Sequence, residues 1–236
     1  MRIMLRSEDE RWLREAHPRL DSDARGIAGN IAFTATYNAQ LDYFLNLSEG
    51  VADTVGGVVL SGDFSIRIEE RSDKTLSALP ALFVDGVDPT PDRHFVQADK
   101  SACLCSPLEE DEFLRPEFQF VLFMEKLVIP FLYGQVFYSQ AQRWPWAEYA
   151  HGSAGLLEAY AKNPEPMRAE DCLRRLVQDG TVWPRLRTAL QGKSNIKGHT
   201  PCFCPAMDQI RRCHPAAWRG ALQLQRDIRV RAIDLP

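Results

Sequence analysis

The 236-residue chain has no excess of positive charge. Its 28 Lys and Arg stand against 32 Asp and Glu, a net charge of −4 with a pI near 5.8, so direct nucleic-acid binding is not expected from the overall balance. It has no Gly-rich phosphate loop, and without one no nucleotide is expected on this chain; any ATP-dependent activation must come from elsewhere. No secretory leader is expected, because Arg2, Arg6, Glu8, Asp9 and Glu10 interrupt any apolar run at the N-terminus. The longest apolar stretch, broken by Glu125, Lys126 and Pro130, reads as too short to span a bilayer, and no membrane partner is expected. With 45% hydrophobic and 25% charged residues the chain does not read as disordered. These exclusions leave a cytoplasmic protein in a reducing compartment, where neighbouring cysteines favour metal binding or catalysis over disulfides.

What is present is concentrated in the cysteines. Three of the six fall in Cys202-Phe203-Cys204, eight further residues, then Cys213-His214. Two close ligand pairs held by a short turn supply the four sulfur and nitrogen donors of a tetrahedral zinc site, while buried thiols or a disulfide are the plainer alternative. Four protein ligands leave no open coordination position, so the expected zinc is structural. His199 stands close enough in sequence to replace His214 as fourth ligand. The spacing resembles the SEC-C zinc motif over residues 198–218, with Pro205 and Ala206 where that motif carries Gly and Ser. The motif is commonly an interaction module. Arg211, Arg212, Arg219, Arg226, Arg229 and Arg231 make the tail locally basic, which reads as a solvated helical face.

Upstream, hydrophobic periodicity predicts a helix over 8–20, with Trp12, Leu13 and Ala16 on one side. Period-two alternation predicts strands over 31–37, 55–60 and 64–68, and 79–84 reads as a fourth strand that tolerates an edge because Pro80 cannot donate to a ladder. A turn-rich stretch over 85–100 carries His94 and opens onto Ser101-Ala102-Cys103-Leu104-Cys105. Residues 118–140 predict a long apolar helix kinked at Pro130, and further helices are expected over 154–162 and 168–179. A polar linker over 190–200 suggests a boundary. The expected fold class is α+β, divided into a catalytic domain over 1–165, a helical extension over 166–190 and a zinc-binding module over 191–236.

Cys103 is the candidate nucleophile on its own terms. A thiol in an irregular loop is accessible to a partner's carboxy-terminal ester or thioester, and thiolates are strong nucleophiles even when only a small fraction is ionised. A packed structural cysteine is the plainer reading, and Cys105 competes, since alternation puts both thiols on one side of an extended segment. Trp144, Trp146 and Tyr149 read as packing against the preceding helix.

The order of elements resembles the ubiquitin-conjugating enzyme fold over roughly residues 8–165: a helix, a four-strand meander ending in Leu79-Pro80, His94 in a long loop, Ala102-Cys103-Leu104, then a long apolar helix. The resemblance implies a thioester on Cys103. The family follows its loop His with Pro-Asn, whose amide supports the oxyanion, whereas here His94 is followed by Phe95-Val96. Oxyanion support then falls to backbone amides, Ser101 or His94 itself, with Asp99 orienting an incoming amine. The segment Trp144-Pro145-Trp146 to His151-Gly152 is similar to that of bacterial ubiquitin-conjugating-like proteins of short type II CBASS anti-phage operons. That similarity implies a cGAS-like nucleotidyltransferase whose C-terminus is loaded and conjugated to protein targets. A non-catalytic zinc-bearing adaptor is the alternative, and a cysteine hydrolase with His94 or His151 as base is a third class.

Overall fold

The computed structural model describes residues 5–47, 50–71 and 77–236, except the Pro166 side chain. Arg2, one of the charges invoked at the N-terminus, lies outside these residues. The chain is mixed α+β and divides into two compact units, Met1–Cys105 with Glu110–Ala147, and Ser106–Glu109 with Glu148–Pro236.

The first unit begins with α1 (Ser7–Ala16), where the Asp9 carboxylate accepts the Arg6 backbone N–H at 3.0 Å and closes the N-terminus. It then forms one antiparallel sheet from β1 (Leu20–Ser22), β2 (Gly26–Asn38), β3 (Tyr43–Asn46), β4 (Val58–Glu69) and β5 (Ala81–Val84). Strand order is β1-β2-β4-β5, with β3 pairing β2. Ile27, Ile31, Phe33, Ala35 and Tyr37 alternate along β2 and all face the core, as do Ile66 and Ile68 in β4. The expected strands over 55–60 and 64–68 are one strand. That strand starts at Val58, and Ser61-Gly62-Asp63, which separates the two expected strands, pairs with Phe33 and its neighbours in unbroken register. Gly62 is needed there, since a Cβ would stand 2.6 Å from the Phe33 ring and 2.8 Å from that of Phe64.

The opposite side of this core is the helical stretch formed by α2 (Asp111–Leu114), α3 (Phe120–Phe123), a π-helical turn over Met124–Val128, and α4 (Ile129–Ala141). The departure from α geometry lies in the π turn directly before Pro130, which is where a residue without an N–H is accommodated inside the continuous helical stretch. This corrects the reading of the apolar stretch as too short: Phe120–Ala141 runs 22 residues and is long and apolar enough to cross a bilayer. Here 61% of its apolar window is buried, with Phe120, Phe123, Met124, Val128, Ile129 and Leu132 in the core shared with the sheet.

The second unit is helical: α5 (Gly152–Lys162), α6 (Pro166–Leu176), α7 (Trp183–Gln191), the one-turn α8 (Ile210–Cys213) and α9 (Pro215–Arg231). Helices α5 and α9 approach closely because Gly220 has no side chain; a Cβ there would stand 1.8 Å from the Leu157 carbonyl oxygen. The helix expected over 154–162 belongs to this unit rather than to a domain ending at 165. Cys202, Phe203 and Ile210 share a core with Leu157, Tyr160, Leu173, Leu186 and Leu224, so the Cys/His segment is built into the helices.

Candidate functional site

Cys103 sits on a small hairpin docked against the edge of β5. Phe95 and Ala102 form an antiparallel bridge, Val96 N–H donates to Ser101 O at 2.8 Å, and Cys103 N–H donates to His94 O at 2.7 Å. Ala102 N–H donates to Leu82 O at 2.8 Å, tying the hairpin to the sheet. Phe95 and Ala102 point into the core, so the neighbouring Cys103 is turned outward and is exposed, whereas Cys105 is half-buried and packs on the core. His94 takes a left-handed conformation, φ 55° and ψ 50°, after the 3₁₀ turn Pro91–Arg93.

Beneath the hairpin lies a buried ion pair. The Arg71 guanidinium, whose side chain is 6% exposed, donates to Asp99 Oδ2 and to Ser101 Oγ, the latter at 2.9 Å. Asp99 Oδ1 accepts both the Ser101 backbone N–H at 3.0 Å and its hydroxyl at 2.7 Å. Asp99 and Ser101 are therefore engaged in holding the turn. Although Cys103 as a residue is exposed, the protein groups packed around its sulfur desolvate it and push the thiol pKa up; the positive charge of Arg71 opposes this and Glu110 adds to it. A thiol held protonated at rest differs from the preformed thiolate–imidazolium pair of a cysteine hydrolase, in which a neighbouring positive ring lowers the thiol pKa.

Helix α4 fixes the His94 side of the loop. Gln135, 1% exposed, donates to Arg93 O at 2.8 Å and accepts from the Arg93 guanidinium at 3.2 Å, and Trp144 Nε1 donates to Asp92 O at 3.0 Å. The Trp144 ring meets His94 edge-on, with centroids 4.5 Å apart. It lies over Gly134, where a Cβ would fall 2.0 Å from a ring carbon. The packing of Trp144 against the preceding helix is the one read from the sequence, whereas Arg71 and Gln135 did not emerge from it, because each acts on a partner far away in the chain.

The second constellation, in the other unit, is Cys202, Cys204, Cys213 and His214, whose ligand atoms all lie within 4.8 Å of one another. Cys202 Sγ is 3.3 Å from His214 Nδ1, and Cys204 Sγ is 3.5 Å from Cys213 Sγ. A bridge between Pro201 and Gln209 closes the loop that carries the first pair, and the Met207 N–H donates to Cys204 O at 3.2 Å. Met207, directly after the Pro205 and Ala206 that replace the motif's Gly and Ser, takes a left-handed conformation with φ 55°. The arrangement is able to hold a metal ion, with His214 and not His199 in the cluster. Cys172 stands apart, fully buried, its thiol pushed up to about 12 by burial. Comparison with family models, with curated proteins and with solved structures finds no match to this chain.

Proposed function

We propose that the first unit is a ubiquitin-conjugating-like transferase carrying an acyl partner on Cys103, and that the Cys/His cluster of the second unit holds a structural zinc. The observation that carries the first reading is an outward-facing thiol on a hairpin pinned to the edge strand of an antiparallel sheet, which is not the four-strand meander expected because β4 pairs β2 and not β3, with a long, largely buried helical stretch in the same core. In the reaction, Cys103 Sγ loses its proton and attacks the carbonyl carbon of an activated C-terminus, expelling the activating group and forming a thioester. An amine of the target then attacks that carbon, forms an amide and returns Cys103 as a thiol. His94, whose carbonyl is bonded to the Cys103 amide, is the residue we assign to support this exchange. The resemblance to short type II CBASS proteins supplies the partner, the C-terminus of a cGAS-like nucleotidyltransferase, and a role in anti-phage defence.

The donor set supports zinc. Zn–S bonds of about 2.3 Å place the sulfurs of a tetrahedron roughly 3.8 Å apart, close to the 3.5 Å between Cys204 and Cys213. Zinc bound by these four side chains would cross-link the 201–209 loop to the start of α9 and take no part in the chemistry.

The test of the transferase reading is co-expression with the nucleotidyltransferase and its activating enzyme. Wild type should form an adduct cleaved by hydroxylamine at neutral pH, and Cys103→Ser a resistant oxyester. Adducts that form equally in Cys103→Ala, or that depend on Cys105 instead, overturn the assignment and leave the adaptor reading in its place.

A further inference from the structure

The net charge of −4 conceals a segregation of charge. Between Arg185 and Arg231 the chain carries ten Lys and Arg and two carboxylates, Asp208 and Asp227. Among the described residues none of the ten is ion-paired with a carboxylate. Asp227 is itself engaged, accepting from the Tyr160 hydroxyl and the Gln223 amide.

Loop 192–198 gathers part of this charge on α9. It is strapped along α9 by three side chains: the Arg229 guanidinium donates to Gly192 O and Ser194 O, the Gln225 amide accepts from Ile196 N–H, and the Trp218 indole donates to Ile196 O. Arg211 N–H then bonds Gly198 O. Trp218, Gln225 and Arg229 are spaced seven and four residues apart, so they share one helix face, and the loop lays the exposed Lys193 and Lys197 along it. Arg219 and Arg226, also exposed and seven apart, form a flanking row. From Trp218 to Arg229 the strip runs about 17 Å, a length over which one strand of a duplex presents about five phosphates.

We propose that this strip binds the phosphate backbone of nucleic acid, reversing the expectation drawn from net charge. Of the six cations placed on this strip, Arg211, Arg219, Arg226 and Arg229 are Arg, whose planar fork suits phosphate oxygens. Like charges left unneutralised along one face repel each other, and a phosphate chain relieves that repulsion while releasing its own counterions. An anionic membrane fits less well, because Ala217, Ala221, Leu224 and Ile228, the apolar side of α9, are buried in the unit's own core and leave no apolar face to enter lipid.

The experiment is fluorescence anisotropy of the full chain with labelled DNA and RNA of about 20 nucleotides, single-stranded and duplex, between about 50 and 200 mM salt. Wild type should bind with a log–log salt slope of about −4 on duplex and lose at least ~100-fold in affinity across that range. The triple variant Lys193→Glu, Lys197→Glu, Arg226→Glu changes exposed side chains only; it should bind at least 10-fold more weakly, with a shallower slope and unchanged circular dichroism. Arg174→Glu, whose native side chain is already paired with Asp171 at 2.9 Å, should bind as wild type. Wild-type binding no tighter than the triple variant's overturns the proposal. So does tighter capture, at equal salt, by polyglutamate or phosphatidylserine vesicles than by nucleic acid.

Discussion

The pair beneath Cys103 should respond asymmetrically to loss of its two members. Arg71 is 6% exposed at its side chain and Asp99 30%. The Arg71 Nε already has no acceptor, so among the described residues Asp99 and Ser101 Oγ are what compensates this buried charge. In Asp99→Ala the guanidinium keeps only a neutral hydroxyl, and an uncompensated buried charge costs about 3–5 kcal/mol. In Arg71→Met the buried charge goes with the side chain, a flexible apolar chain fills its volume, and Asp99 keeps two donors from Ser101 and access to water. The cost is then about 1–2 kcal/mol. Urea unfolding followed by tryptophan fluorescence should therefore place the Asp99→Ala midpoint lower by about 1 M, for a slope near 2 kcal/mol/M. Arg71→Met should also raise the Cys103 pKa further, because the one charge that opposes burial is gone, and slow its alkylation by iodoacetamide at pH 8. Equal costs, or a larger cost for Arg71→Met, would refute the argument that the buried cation is the dependent partner.

Three further outcomes follow from the same structure. Gly134→Ala drives a methyl into the Trp144 ring and should cost about 1–3 kcal/mol, with a change in tryptophan emission and faster proteolysis of the 91–103 loop; unchanged emission counts against that contact. His17 is buried, edge-on to Trp12, and burial pulls its pKa down to about 4, so the unfolded chain binds a proton between about pH 6.5 and 4 that the folded one refuses. Stability should be complete above pH 6.5 and fall by about 2 kcal/mol on acidification to pH 4, and His17→Leu should flatten that profile in pH-dependent melts. Removing the metal with a strong chelator, or Cys204→Ser, should melt the second unit by circular dichroism, since a ligand held at 1,000 times its Kd contributes about 4 kcal/mol; a melt indifferent to chelator contradicts a structural zinc.

How far the sequence could be read depended on the range of the interactions. Period two in 31–37 located β2, but its extension to Gly26 and the short β1 and β3 rest on pairing between segments with little pattern of their own. The fusion of two expected strands into β4 was hidden because Gly62 looks like a turn residue until Phe33 and Phe64 are placed beside it. The metal cluster was legible because its four donors lie within thirteen residues. Cys103 was singled out because the turn-rich stretch with His94 precedes it and a long apolar helix follows it in the sequence. Arg71, 28 residues from Asp99, and Gln135, 42 from Arg93, had no local signal at all. The charge strip was hidden for another reason: a sum over the chain cancels it, and only loop 192–198 lying on α9 turns it into a surface.

The central claim is that Cys103 carries an acyl partner, and the most direct measurement is the intact mass of the chain isolated without thiol reagents from cells expressing its operon. A mass increment equal to a partner protein less one water, removed by hydroxylamine but not by phosphine and absent in Cys103→Ala, is the predicted result. An unmodified mass in wild type, or an increment that persists in Cys103→Ala, would contradict it.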